Sequence, residues 1–126
     1  MNSRLYTIES STTEGDYLFE VVNDGSQKGV RCRIYVSLVE MVKHLCGRYT
    51  PKQRFKIYKI LDKRYPRDII KIENIVWCWP YDKFDVETGK AIAKRRVNYK
   101  IMLKRNKIKS FIKHIEKYNF SKYDKI

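Results

Sequence analysis

The chain predicts an α+β fold: a small mixed or mainly antiparallel sheet of about five to six strands with three helices, in the order β-β-β-α-α-β-β-β-α. Three observations lead there. Short runs rich in β-branched and aromatic residues are separated by turn residues, two capping signals open helical spacing in the middle, and the last apolar residues recur at i, i+3, i+4 and i+7. With 126 residues, 43% of them hydrophobic, the chain has the size and apolar content of one folded domain. The expected unit spans 1–126, with 1–3 and 120–126 as loose ends.

Taken in order, Arg4 to Ile8 and Tyr17 to Val22 read as strands, with the polar Ser10–Gly15 stretch between them. Asp24-Gly25 marks a turn. From Val30 the period is two: Val30, Cys32, Ile34 and Val36 share one face, and Arg31, Arg33 and Tyr35 form a cationic, aromatic outer face. Ser37 with Glu40 opens a helix that Gly47 ends, and Thr50-Pro51 with Gln53 opens a second that Pro66 ends. The second helix is expected to bury Phe55, Tyr58, Leu61 and Tyr65.

Asp68 to Trp79 reads as a central strand, with Trp77 and Trp79 as core anchors because of the area they bury. Glu87-Thr88-Gly89-Lys90 reads as a hairpin turn joining a strand at Tyr81–Val86 to a long strand through Leu103, on which Lys94, Arg96, Asn98 and Lys100 share a face. Ile108, Phe111, Ile112 and Ile115 give the last helix a narrow apolar stripe.

Charge is the strongest functional signal. The net charge is +14, yet the first thirty residues sum to −3, so the remainder carries +17. Such an excess repels itself in a compact molecule and draws in acidic partners. Lys52, Lys56, Lys59 and Lys63 stack along one side of the second helix, widened by Arg54, Arg64 and Arg67, with Asp62 as the single acid from Pro51 to Arg67. Ten further lysines and arginines from Lys94 to Lys117, including Lys94, Arg95, Arg96, Lys100, Lys104, Arg105, Lys107 and Lys109, face Glu116 alone. An ordinary solvated helix face intersperses acids to relieve this repulsion.

A phosphate backbone supplies the missing counter-charge, so nucleic acid, DNA or RNA, is the expected partner and counterion release the expected driving term. Lysines position a backbone without reading bases, which leaves Arg31, Arg33, Gln53, Arg54, Arg95, Arg96 and Asn98 for finer contacts and Tyr35 for base stacking. The alternative is an inhibitor or adaptor docking on an acidic protein surface or a nucleoprotein complex, with the N-terminal acidic strands as another face. The Lys-, Ile- and Tyr-rich composition is in keeping with a viral or mobile-element origin. A winged helix-turn-helix is the lesser topology, because Lys43, Arg48 and Gln53 stand where its turn needs small or apolar residues.

No enzyme, cofactor or metal site is expected. His44 and His114 read as ordinary helix residues without an orienting partner. Asp82, Asp85 and Glu87 are the one acidic knot from which a metal-dependent nuclease could be argued, but they sit on an expected hairpin, where such residues serve solubility. Cys32, Cys46 and Cys78 lack zinc-site spacing and read as reduced thiols. With neither a signal-peptide pattern nor a run of about 20 apolar residues, the expectation is an intracellular protein without a membrane segment.

Overall fold

The structure is a computed structural model that describes residues 5–79 and 82–119. The expected loose ends, and Tyr81 of the expected hairpin, lie outside the described residues. The elements run β1 (Thr7–Glu14), β2 (Tyr17–Asn23), β3 (Lys28–Ser37), α1 (Leu38–Leu45), α2 (Pro51–Arg64), β4 (Ile69–Trp77) and α3 (Val86–Asn119). The class is α+β, with three helices and one antiparallel sheet of four strands in the order β1-β2-β3-β4. Two compact units divide these residues: one holds 5–35 and 71–101, the other 36–70 and 102–119.

In the first unit the Ser10–Glu14 stretch is strand, not loop. Glu14 pairs with Tyr17 across a two-residue turn in which Gly15 has φ +61°, a left-handed conformation that glycine adopts freely. All eight residues of β1 are exposed, so no apolar alternation marks it in the sequence, and its pairing with β2 sets its conformation. The Asp24-Gly25 turn forms as expected, with Asp24 Oδ1 accepting from the backbone of Ser26 and Gln27. β4 is an edge strand, not a central one, and Trp79 beyond its end is 70% exposed instead of buried.

The largest correction is α3. The expected hairpin at Glu87–Lys90 and the strand through Leu103 are one continuous helix that starts at Val86. Asp85 begins it: Oδ1 accepts from Glu87 N at 3.0 Å and Thr88 N at 3.4 Å, which satisfies amides that a helix start leaves without partners. Gly89 does not turn the chain. A Cβ there would stand 2.6 Å from Val30 Cγ2, so glycine lets the helix lie close on the sheet. Ala93 and Val97, one turn apart, are fully buried and continue that line.

The second unit follows its capping signals closely. Ser37 Oγ accepts from Glu40 N, and Asp68 adds a partner by accepting from both Ser37 Oγ and Val39 N. Thr50 and Gln53 form the reciprocal box, with Pro51 at the first helical position. Gln53 is thereby buried and engaged in the cap. Leu38, Val42, Cys46 and Tyr49 pack with Ile57 and Leu61 of α2 and with Ile108, Ile112 and Ile115 of α3 in one apolar core. Phe55, expected inside, is 68% exposed, because α2 turns Gln53, Ile57 and Leu61 inward.

Candidate functional site

Which cations remain available to a partner depends on what each one already touches. In the first unit most are engaged. β2 and β3 pair Glu20 opposite Arg31, and the Arg31 guanidinium donates to Glu20 through Nε and Nη2 and to the Tyr6 hydroxyl through Nη1. Arg33 Nε donates to Glu73 at 3.1 Å, and its Nη2 stands 3.8 Å from Glu20. The face expected to be cationic is therefore a self-neutralised network, with Arg31 buried within it. Tyr35 is exposed as expected.

On the first half of α3, Lys94 lies 4.7 Å over the Tyr17 ring, Tyr17 donates its hydroxyl to Asn98, and Lys100 Nζ donates to the Glu73 carbonyl. Arg95 and Arg96 are exposed. The charge balance agrees with this picture: the described residues of the first unit hold ten lysines and arginines against nine carboxylates.

The second unit is different, with fifteen lysines and arginines against four carboxylates among its described residues. Its three helical segments turn apolar residues to one core, which leaves the cations at the surface. On α2, Lys52, Lys59, Lys63 and Arg64 are exposed, while Lys56 and Arg54 are half-buried. Burying Gln53, Ile57 and Leu61 sets the Lys52-Lys56-Lys59-Lys63 row away from the core, as the spacing predicts.

On α3 the seam of Ile108, Ile112 and Ile115 separates two basic flanks. One flank carries Arg105, Lys109 and Lys113 at successive turns, and with His44, Leu45, Arg48, Tyr49 and Ile112 they line a groove of about 220 Å³. Glu116 anchors this groove: it accepts from the Tyr49 hydroxyl at 2.8 Å and from Arg48 Nη2 at 3.5 Å, while the Arg48 guanidinium lies 5.1 Å over the Tyr49 ring. The hydrogen bond to Tyr49 and the nearby Glu116 carboxylate hold the Arg48 pKa above its ordinary value. Burial pushes the Tyr49 hydroxyl up, so it stays protonated as a donor.

The other flank carries Lys107, Ser110, Phe111 and His114, which with Arg64 and Tyr65 line a second, more open groove of about 360 Å³. Lys104 stands 4.7 Å over the Tyr65 ring. The charge pattern of the sequence predicts Lys104, Arg105, Lys107 and Lys109 as site residues, whereas it does not single out His44, Arg48, Lys113 and His114 as groove residues. The four-residue spacing of Arg105, Lys109 and Lys113 carried the missing signal for the last cation of that row.

The acidic knot does not assemble into a metal site. Asp85 is the α3 cap, its pKa lowered by its hydrogen bond from the Thr88 side chain, and among the described residues no three His, Cys, Asp or Glu side chains lie together as metal ligands. The Glu87–Gly89 hairpin that a winged helix-turn-helix would use in its wing does not form, since these residues belong to α3. Among the described residues no helix is long and apolar enough to cross a membrane. No protein-family model, curated protein or solved structure matches the chain.

Proposed function

We propose that the chain is a non-enzymatic nucleic-acid-binding module whose contact surface lies on the second unit. The observation that carries this reading is the separation of charge: a nearly balanced first unit, and a second with fifteen cations against four carboxylates. Arg48, Arg64, Arg105, Lys107, Lys109 and Lys113 line the two grooves of that second unit. Like-charged rows of this kind cost each helix a few tenths of a kcal/mol per pair, and an external polyanion relieves that cost. Lysine predominates, so binding is mainly to phosphates and tolerant of sequence.

The test is a titration with mixed-sequence single- and double-stranded DNA and RNA at two salt concentrations. Binding should weaken steeply with salt, and Arg105→Gln, Lys109→Gln and Lys113→Gln together should reduce the slope of log K against log salt by about 0.7–0.9 for each phosphate no longer neutralised. Absence of salt-sensitive binding to every nucleic acid would overturn the proposal. One observation favours the second reading, docking on a protein: β1 is a fully exposed edge strand, the geometry that accepts an added strand. Under that reading the titration shows no nucleic-acid binding, and the interaction depends on β1.

A further inference from the structure

The second α3 groove continues into a feature that charge alone does not explain. Phe111, His114 and Tyr118 follow one another at helical spacing beside it: the Phe111 and His114 rings are stacked with centroids 6.4 Å apart, and the His114 and Tyr118 rings are 4.5 Å apart. Core formation does not require the outer part of this row. Ile108, Ile112 and Ile115 already close the core, whereas His114 is exposed and Tyr118 is 65% exposed. Phe111 alone packs partly against the core and so fixes the inner end of the row.

Cations border the rings along their length. Lys107 and Arg64 line the groove at one end, and Lys117 stands 5.3 Å over the Tyr118 ring at the other. From Phe111 to Tyr118 the helix advances about 10 Å, enough for more than one base. The rings partly cover one another and Lys117 lies over Tyr118, yet His114 and Tyr118 keep exposed ring surface. Exposed rings within a positive border suit a ligand with π-faces joined by phosphates. A duplex keeps its base faces stacked inside and offers them to no side chain, whereas a single strand presents them.

Resting on the nucleic-acid reading above, we propose that the Phe111-His114-Tyr118 row is a stacking platform for the bases of a single-stranded segment, with Arg64, Lys107 and Lys117 on its phosphates. The row gives the surface a preference for single strands over duplexes that the lysines by themselves do not supply. Ser110, exposed in the same groove, is in place to hydrogen-bond a base edge or a phosphate.

The experiment compares a fluorescently labelled oligothymidylate with a duplex of equal length, at one salt concentration and then across a salt series. Tyr118→Ala and His114→Ala should each weaken oligothymidylate binding by about tenfold, while duplex affinity and the salt slopes remain those of the parent. Tyr118→Phe should bind like the parent and Tyr118→Leu like the alanine variant, which separates ring stacking from apolar bulk. Because both residues are exposed, circular dichroism should match the parent for all four variants. Unchanged oligothymidylate affinity in the alanine variants, or an equal loss on duplex and single strand, overturns the platform and leaves the electrostatic reading standing. Absence of salt-sensitive binding to both ligands in the parent overturns the two together.

Discussion

A guanidinium taken out of water must have its charge answered at short range, and Arg31 meets that requirement with Glu20 directly across the β2–β3 ladder. Both side chains are nine-tenths buried, so removing one partner leaves the other charged and without solvent. Glu20→Ala should therefore cost about 3 kcal/mol in urea unfolding. The double variant Glu20→Leu with Arg31→Met, which removes both charges, should recover most of that stability. A second consequence concerns the thiols. Burial pushes the Cys32 thiol up to about 11 and raises that of Cys46 as well. At pH 8.5 an alkylating reagent should label the partly exposed Cys78 and spare Cys32 and Cys46 until the chain unfolds, as read by mass spectrometry. The raised Cys32 value also gives a sign: stability from this group is complete below its ordinary pKa of about 9 and falls as pH rises toward 11, because the unfolded thiol ionises first.

The starts of α1 and α2 were legible, whereas the start and first half of α3 were not. Ser37 and Thr50 cap where their spacing to Glu40 and Gln53 predicts, because a cap is a local arrangement between a side chain and an amide three residues on. Thr50→Ala should accordingly lower stability by about 1 kcal/mol, measured by thermal or urea denaturation. The first half of α3 escaped because its buried line consists of Gly89, Ala93 and Val97, whose small side chains barely register as an apolar stripe. Over the same stretch and just beyond it, Lys94, Arg96, Asn98 and Lys100 alternate as a strand face would. Only the neighbouring sheet explains the small residues. Gly89→Ala tests this: intrinsic helix propensity favours alanine by about 1 kcal/mol. The clash with Val30 should nevertheless make the variant less stable by about 1–3 kcal/mol.

For the molecule as a whole, charge location matters more than charge total. The +14 is concentrated in residues 36–70 and 102–119, whereas division along the sequence placed it in everything after residue 30. Equal numbers of neutralised cations should then have unequal effects. Replacing Arg105, Lys109 and Lys113 with glutamine should lower the salt slope of nucleic-acid binding more than replacing Lys94, Arg95 and Arg96, at matched ionic strength. Equal reductions would show that position within the fold does not govern the contact.

Residues close in sequence settled much of this protein: the α+β class, both middle helices with their caps, the Asp24-Gly25 turn and the apolar seam at Ile108, Ile112 and Ile115. Contacts between distant residues decided the rest. Arg33 meets Glu73 forty positions away, Gly89 meets Val30, and Arg48 meets Glu116, so neither the neutralised arginines, nor the continuous α3, nor the anchored groove follows from neighbours along the chain. Net charge is additive over residues and needs no fold, but whether a given cation is free for a partner depends on distance in space, which only folding sets.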